Sequence, residues 1–483
     1  MIFPKLHVEI SAGVTIRRPP AAMREELTQL LTYENPVYDS ATKFSPYSYT
    51  SIDPHICLLE DKGDEIVVPR GFDFGKLSVK FRARYLAALK KDTRVTVPVK
   101  WPVPLLTPNA EQKEMLEAIT NYRLLNKRPH GNYLLVASTS TGKTITQALA
   151  AAKFGQRTLV LCKTNLIQKA WRDDLIKLFG LTKQQIGLIQ QSKHTVGEQF
   201  TLSSLATLHR RRHLWDKIFS LFGTVILDEC HLLPAKQIYD FVSACPAKYI
   251  LGATATEKRA DKKEFMVHAV FGQPVKRIVA VQTETASSMP ITSVKEIKTA
   301  FEYRQPTQDL DFAAMMNAMI GDDKRNELIV QHVLEDWKKG NSVLITTSRV
   351  AHAQVLQDML VEAGVEDASV LTGEVNQGRT STVLIEMIIA KEIRCVVATD
   401  QIISTGANLP PLDRLHIAIP IVGELKLTQL LGRMRRKFQG KKDSCVRYYL
   451  DSKVPYLFGV YKRTAVTVFR EMAIKPYTNL FIS

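Results

Sequence analysis

The strongest constraint on the fold is the alternation of short apolar runs with amphipathic helical stretches. In the first half of the chain, apolar runs at 133–137, 158–162, 224–229 and 249–254 are predicted to be buried strands. Helical patterns at 143–154 and 165–179 lie between them, and Gly180 ends the second helix. Strands and helices that alternate in this way form parallel sheets. We therefore expect an α/β fold.

The same alternation of apolar runs and helical stretches recurs in the second half of the chain. The predicted strands are 342–347, 368–373, 395–400 and 414–420, with helices near 350–363 and 375–390. A chain of 483 residues is too long for a single hydrophobic core. We therefore predict two tandem parallel-sheet domains, at residues 101–285 and 286–450.

The first 100 residues have a different pattern. A helix is predicted over 21–33, and Lys62-Gly63 inside the stretch 56–72 indicates a β-hairpin. Residues 1–100 are therefore expected to form a small α+β domain, which the proline-rich segment 97–108 links to the first parallel sheet. Residues 451–483 are expected to form a C-terminal extension.

Composition limits the partners. Lys and Arg number 65 against 48 Asp and Glu, a net charge of +17, which predicts attraction to nucleic acid; a merely basic soluble protein is the alternative. Six scattered cysteines without C-x-x-C spacing argue against zinc sites and disulfides, and we expect them to be reduced and buried. Since no apolar run approaches membrane-span length, we expect a cytoplasmic protein without a membrane partner. We also expect a monomer.

A phosphate-binding loop is predicted at residues 137–144, which read ASTSTGKT. The loop joins a strand to a helix, the context that the pattern requires. Backbone N–H groups around Ser140, Thr141 and Gly142 would cradle phosphate, Lys143 would reach the β- and γ-phosphates, and the Thr144 hydroxyl would bind Mg²⁺. Alanine at 137 replaces the usual first glycine, which is acceptable if its φ is negative. The alternative is an ordinary helix N-terminus beside a solvated lysine.

An acidic pair, Asp228-Glu229, follows a strongly apolar strand. The carboxyl ends of parallel strands are where α/β sheets bind ligands. Asp228 is expected to hold Mg²⁺, and Glu229 to orient and deprotonate an attacking water. The alternative is that the pair caps the next helix.

A third cluster is Gln429-Leu-Leu-Gly-Arg-Met-Arg-Arg436. On a helix, Gln429, Arg433 and Arg436 would share one face, where two guanidinium groups could stabilise charge that develops on a γ-phosphate. Arg435 and Lys437 would point elsewhere, and we expect them to contact nucleic-acid backbone.

These segments, taken in order, resemble motifs I, II, III and VI of superfamily 2 helicases: ASTSTGKT, DECH (228–231), GATAT (252–256) and QLLGRMRR. Weaker matches are residues 159–171 to motif Ia, 200–209 to motif Ib, 342–353 to motif IV and 396–410 to motif V. The resemblance covers about 105–449 and is closest to the phage branch-migration helicases of the UvsW kind, with XPB and RecG relatives. Lys163 and Glu257 stand where such proteins often carry proline.

The resemblance implies two RecA-like motor domains that bind ATP between them. Gln112 would read the adenine, and Gly406 would join the ATP site from the second domain. The resemblance further implies two sets of residues. Those that couple hydrolysis to movement would be His231, Thr254, Thr256 and Gln429. Those that grip nucleic-acid backbone would be Thr164, Thr207, Ser348 and Thr372.

The sequence thus predicts an ATP- and Mg²⁺-dependent DNA helicase acting on forked or branched DNA. An RNA helicase and a duplex translocase without strand separation remain alternatives. A nucleic-acid-binding or annealing protein with a vestigial ATP site is a third. The N-terminal domain could recognise DNA junctions or act as a structural brace for the motor.

Overall fold

The fold was analysed on a computed structural model. It describes residues 5–38, 52–124, 131–137, 141–190, 193–257, 259, 261–278, 291–304, 311–372, 380–399, 409–472, 474 and 476–477. The chain divides into two compact units, of which the first is formed by the residues up to 278 apart from 138–141, and the second by the residues from 279 onward together with 138–141. The predicted domain boundaries near residues 100, 285 and 450 stay predictions. No helix in the described ranges is long and apolar enough to cross a membrane.

The first unit begins with a mixed sheet of five strands in the order β5-β6-β2-β1-β7. Its elements are β1 (His7–Ile10), β2 (Gly13–Arg17), α1 (Ala21–Leu30), β3 (Thr32–Glu34), β4 (His55–Cys57), β5 (Glu60–Asp61), β6 (Glu65–Pro69), α2 (Val79–Leu86) and β7 (Leu89–Asp92). β3 and β4 pair separately. The predicted hairpin is present between β5 and β6, where Gly63 has a φ of +80°.

The helix predicted over 21–33 is shorter than expected. α1 ends at Leu30, and Thr32–Glu34 forms a strand instead. The Thr32 hydroxyl donates to the Thr28 carbonyl at 2.7 Å, and the backbone then pairs Thr32 with Cys57. Threonine and tyrosine favour strands, so pairing with β4 prevails over a further helical turn.

Arg70 ties this mixed sheet to the first parallel sheet. Its guanidinium is 3% exposed and donates to Asn132 Oδ1 at 2.8 Å and to the carbonyl oxygens of Ala247 at 2.8 Å and Ser11 at 3.0 Å. Burial and the neighbouring Arg94 lower the pKa of Arg70 to about 9. The next residue, Gly71, donates its N–H to the Ala269 carbonyl, and a Cβ there would lie 2.4 Å from the backbone N of Gly272. The segment therefore connects the two sheets through buried hydrogen bonds, and the choice between a brace and a junction-binding domain stays open.

The first parallel sheet has eight strands in the order β11-β10-β12-β9-β13-β14-β8-β15, and only β11 is antiparallel. Its strands are β8 (Asn132–Ala137), β9 (Thr158–Cys162), β10 (Gly187–Gln190), β11 (Lys193–Thr195), β12 (Phe200–Ser204), β13 (Thr224–Asp228), β14 (Tyr249–Thr254) and β15 (Pro274–Ile278). The helices are α3 (Ala110–Leu124), α4 (Lys143–Phe154), α5 (Asn165–Phe179), α6 (Leu205–Arg210), α7 (Trp215–Phe219), α8 (Lys236–Ser243) and α9 (Glu264–Phe271). The four predicted strands are confirmed, and their apolar side chains fill the cores on both faces.

The second unit contains a seven-stranded parallel sheet in the order β18-β19-β17-β20-β21-β16-β22. Its strands are β16 (Ile291–Lys298), β17 (Val343–Thr347), β18 (Ala368–Leu371), β19 (Cys395–Thr399), β20 (Arg414–Ile417), β21 (Ser444–Leu450) and β22 (Pro476–Tyr477). The helices are α10 (Phe312–Ile320), α11 (Asp323–Lys338), α12 (Val350–Glu362), α13 (Thr380–Ile389), α14 (Glu424–Met434), α15 (Pro455–Val460) and α16 (Val466–Glu471). The expected fold of two parallel sheets behind a small N-terminal sheet is thus confirmed.

The C-terminal residues are built into this second unit. A π-helical stretch, Tyr461–Ala465, joins α15 to α16, and the Tyr461 hydroxyl donates to Glu296 of β16. β22 then adds a parallel strand beside β16. Among the cysteines, Cys57 is exposed and Cys445 is half-buried, whereas the remaining four are buried as expected.

We predict that Arg70→Met lowers the free energy of unfolding by about 3 kcal/mol, because the change leaves several buried oxygen acceptors without a donor. Urea unfolding of the variant and of the wild type measures the difference. Arg17→Met is the matched control, since the Arg17 side chain is 60% exposed and its ion pair with Glu9 at 3.4 Å lies at the surface. Equal unfolding midpoints for the two variants would show that Arg70 does not brace the sheets.

Candidate functional site

The phosphate-loop segment lies at the carboxyl end of β8. Its residues 138–140, and with them the predicted Ser140, fall outside the described residues. Lys143 is buried, and its Nζ donates to the Ala137 carbonyl at 2.8 Å, so the ammonium points back across the loop toward the strand end. Ala137 is not among the residues with positive φ, which agrees with the condition set for alanine at this position. Thr141 is buried, and Thr144 is half-buried in the first turn of α4.

Gly142 is the residue at which the loop requires glycine. It caps the N-terminus of α4 with a φ of +83°, a conformation that residues with a Cβ rarely adopt. A Cβ there would lie 2.2 Å from Nε2 of Gln112. Gln112 therefore packs directly against Gly142, and its role in reading adenine stays a prediction.

Gln112 is held by a capping box at the start of α3. The Asn109 side chain accepts from the Gln112 N–H at 2.9 Å, and Gln112 Oε1 accepts from the Asn109 N–H at 2.9 Å. This exchange leaves the Gln112 amide nitrogen facing Gly142. Sequence reasoning missed Asn109, although Asn followed three residues later by Gln is a signal of such a box.

The acidic pair ends β13, two strands away from β8 in the sheet. Trp171 of α5 donates its indole N–H to Asp228 Oδ2 at 2.9 Å, and the Glu229 N–H donates to Asp228 Oδ1 at 3.1 Å. Burial and the neighbouring Glu229 carboxylate raise the pKa of Asp228 to about 6, while Trp171 and Lys143 act in the opposite direction. Trp171 was missed; its place in the motif Ia segment was the available signal.

A desolvated carboxylate with a raised pKa is a site that a cation would stabilise. Lys143 supplies one positive charge, yet the pKa of Asp228 stays raised, so the local charge is not fully compensated. Thr144 supplies a hydroxyl oxygen at the same edge of the sheet. These are hard oxygen ligands, which fit Mg²⁺.

Glu229 adopts an unusual backbone conformation, with a φ of 57° and a ψ of 55°. A left-handed conformation in a residue other than glycine stores strain, which recurs at functional sites. The turn sends the Glu229 side chain toward His231, whose Nδ1 lies 3.2 Å from Glu229 Oε2.

A polar chain leads from this carboxylate to the GATAT segment. His231 Nδ1 lies 3.4 Å from the Thr254 hydroxyl, which donates to the Thr256 carbonyl at 2.9 Å. Thr254 is the last residue of β14, the strand between β13 and β8. The structure therefore brings together three of the predicted coupling residues, His231, Thr254 and Thr256.

The arginine cluster differs from the prediction in one respect. Gln429 and Arg433 lie on α14, but the helix ends at Met434, so Arg436 is not on the shared helical face that we expected. The helix stops there because Lys441 Nζ and Ser444 Oγ donate to the Met434 carbonyl, at 2.6 Å and 2.7 Å. Gln429 is 7% exposed, and Arg433 and Arg436 are half-buried.

Two further basic residues follow α14. Arg435 is 4% exposed, which does not suit the nucleic-acid contact predicted for it, whereas Lys437 is exposed. Gly406, with most of the motif V segment, lies outside the described residues. The ligand roles of these residues stay predictions.

The four predicted backbone-gripping residues follow the carboxyl ends of β9, β12, β17 and β18. Thr164 caps α5 by accepting from the Ile167 N–H at 3.3 Å, and the Thr207 hydroxyl lies 2.7 Å from that of Ser204. Thr207 and Thr372 are buried, at 6% and 0% exposure, while Ser348 is exposed. Ser348 is thus the most accessible of the four.

The chain is similar to known helicases and to a family of restriction-enzyme subunits. The family model for the res subunit of type III restriction enzymes matches residues 105–259. "Probable helicase D10" of Escherichia phage T5 is 28% identical over 362 residues, which cover 74% of this chain and 74% of that protein. The ATP-dependent DNA helicase uvsW of Enterobacteria phage T4 is 22% identical over 365 residues, covering 72% and 69%.

More distant matches extend the comparison. Transcript termination protein A18 of fowlpox virus is 20% identical over 485 residues, covering 94% of this chain and 98% of that protein. The structure of S. cerevisiae Dbp5 bound to RNA and ADP BeF3 superposes with a TM-score of 0.54 at 14% identity, covering 76% of this chain and 88% of that one. That likeness concerns the fold alone. With its ordered motifs and these relatives, the chain is similar to the superfamily 2 helicases and is homologous to the phage helicases D10 and UvsW.

Proposed function

We propose that this helicase hydrolyses ATP in order to unwind or branch-migrate forked and branched DNA, in replication, recombination and repair. The observation that carries the proposal is the continuous contact from Asp228 and Glu229 through His231 to Thr254. This contact connects the acidic pair, where the phosphate would react, to the GATAT segment, which would couple the reaction to movement of the protein. A vestigial ATP site would not need such a connection.

The predicted site residues at the carboxyl edge of the first sheet each have a role in this proposal. Lys143 and the loop N–H groups bind the phosphates, Gln112 holds the adenine, and Glu229 takes a proton from the attacking water. Mg²⁺, held through Thr144 and Asp228, would neutralise charge on the phosphate oxygens. Arg433, Arg436 and Gly406 are proposed to assist the same reaction.

DNA is proposed as the track for two reasons. The surplus of positive charge, +17, supplies sequence-independent affinity for a phosphate backbone. The T4 relative is named an ATP-dependent DNA helicase, and we extend that substrate to this chain. Thr164, Thr207, Ser348 and Thr372 remain proposed backbone contacts, with the two buried threonines acting only if their surroundings open.

The substrate class is tested by ATPase rates in the presence of forked DNA, linear duplex DNA and single-stranded RNA. We expect the largest stimulation with forked DNA, and strand separation of the same fork in a gel assay. Stimulation by duplex without strand separation would instead favour a translocase. Stimulation by RNA alone would refute the DNA proposal, and it would favour RNA-directed activity.

We predict that Lys143→Ala lowers the rate of ATP hydrolysis by about 100-fold or more, because a preorganised positive charge at the transferred phosphate is lost. Affinity for DNA should stay within a few-fold of wild type. Steady-state hydrolysis and fluorescence anisotropy provide the two measurements. Lys153→Ala, which changes an exposed lysine of the same helix, is the control and should keep full activity. Unchanged turnover in Lys143→Ala would refute the assignment of the ATP site.

We also predict that Asp228→Asn stabilises the nucleotide-free, metal-free protein at pH 8. The folded pKa of about 6 lies above the unfolded value of about 3.9, so the contribution of the Asp228 carboxyl group to stability is highest below pH 4 and falls as the pH rises through 6. Removing the charge should stabilise the protein by on the order of 1–2 kcal/mol at pH 8 and by much less at pH 4.5. Part of the gain is offset because asparagine can accept only one of the two hydrogen bonds that Asp228 accepts from Trp171 and from the Glu229 N–H.

Thermal unfolding at the two pH values measures this difference. We expect Asp228→Asn to raise the melting temperature by a few degrees at pH 8 and by less at pH 4.5. Asp216→Asn, at an exposed position of α7, controls for the loss of one negative charge. A variant that is no more stable than wild type at pH 8 would mean that the Asp228 carboxylate is not under electrostatic stress.

A further inference from the structure

A small cleft of about 240 Å³ opens at the carboxyl edge of the second parallel sheet. Its floor and walls come from the segments after β17 and β20, from the first turns of α10 and α14, and from α15. The cleft lies entirely within the second unit, and none of its lining residues has so far been given a part in ATP hydrolysis. Ser348, the accessible residue among the four proposed backbone contacts, lies on its rim.

Two aromatic rings form one wall of this cleft. Phe312 and Tyr456 have ring centroids 5.8 Å apart at an interplanar angle of 68°. Tyr456 packs on a buried cluster that includes Met316 and Leu457, so its ring is held from behind. Phe312 is nevertheless 40% exposed at the first position of α10. An exposed, well-supported aromatic surface of this kind suits a planar ligand.

The charges around the cleft are positive. Arg349 and Lys426 line it and are exposed, and no carboxylate is among the lining residues in the described part of the chain. The nearest acidic residues along the chain are Asp311 and Glu424. Asp311 accepts the Ala314 N–H at 2.9 Å as the cap of α10, and Glu424 lies at the start of α14. Rings beside two cations match a nucleotide, which combines a flat base with an anionic phosphate.

We propose that this cleft accepts one unstacked base of single-stranded DNA against Phe312 and Tyr456, with the adjoining phosphate at Arg349 and Lys426. The cavity is smaller than pockets for drug-sized ligands, which begin at roughly 300 Å³, and therefore suits a single base rather than a whole cofactor. The proposal rests on the proposed function. It adds a base-stacking contact to a track that otherwise grips only the backbone.

The proposal predicts that Phe312→Ala and Tyr456→Ala each weaken binding of an oligodeoxythymidylate strand by about tenfold, because base–aromatic stacking is lost. Tyr456→Phe should bind like wild type, since the ring is kept. Phe458→Ala is the matched control, because Phe458 is an aromatic residue of the same helix that stacks on Tyr461 outside the cleft. Fluorescence anisotropy measures the affinities, and thermal unfolding of each variant confirms that it is folded.

A strand of the same length without bases separates stacking from charge. On the abasic strand, the loss of affinity caused by Phe312→Ala should shrink to within twofold. Arg349→Gln should instead weaken the binding of both strands, and it should lower the number of ions released on binding, measured from the salt dependence of the affinity, by about one. Equal losses on both strands would show that the aromatic residues do not contact bases. If Arg349→Gln lowers the affinity and the aromatic variants do not, the cleft binds a phosphate without a base.

Photocrosslinking of wild type with a strand that carries 5-iododeoxyuridine gives a readout without any substitution. Peptide mapping should place crosslinks at Phe312 or Tyr456, and crosslinks confined to other segments would overturn the proposal. If DNA stimulates hydrolysis but none of these variants changes binding, the inference fails while the proposed function stands. If wild type neither binds DNA nor responds to it, the proposed function fails as well.

Discussion

The crowding of Lys143, Asp228 and Glu229 at one edge of a parallel sheet is the constraint on which the rest of the structure depends. Parallel strands bring their carboxyl ends to the same edge, so the residues that follow β8, β13 and β14 must meet there. Burial makes the charge of the Asp228 carboxylate costly, and the indole N–H of Trp171 offsets only part of that cost. A cation bound beside this carboxylate would therefore relieve part of the cost of its burial.

The second unit handles buried charge in the opposite way. Burial works to raise the pKa of Asp336, yet the groups around it hold that pKa well below its ordinary range. Arg447 donates to both carboxylate oxygens at 2.8 Å, and His416 Nε2 lies 3.0 Å from one of them. This network fastens α11 to β20 and β21. Such a network of paired charges favours one rigid packing, in contrast to the edge of the first sheet, where the pKa of Asp228 is raised and Glu229 has a positive φ.

Much of this arrangement could be predicted from local sequence. Strands such as Thr158–Cys162 and Tyr249–Thr254 were predicted to the residue, because their apolar runs are buried on both faces and end at polar loops. The positions of Lys143 and Asp228 next to strand ends follow from the same apolar runs, whereas their ligand roles stay predictions. The end of α14 was not, since it depends on Lys441 and Ser444, which reach the Met434 carbonyl from beyond the helix. The pairing of β22 with β16 likewise joins residues that are far apart in sequence.

The loop after GATAT shows how a departure from the family pattern can be structurally consistent. Glu257 stands where relatives often carry proline, and its carboxylate accepts two hydrogen bonds from Arg277 of β15, at 2.7 Å and 2.8 Å. His268 of α9 lies 3.1 Å from the same carboxylate, and the pKa of Glu257 is lowered, mainly by Arg277. A proline would stiffen the loop by fixing its own φ, whereas here a bidentate ion pair ties the loop to the last strand of the first sheet. Because Arg277 is half-exposed, salt weakens this tie. The loop that follows Thr254 and Thr256 is therefore held by an ion pair that can open, which is consistent with the part we propose for these threonines in coupling hydrolysis to movement.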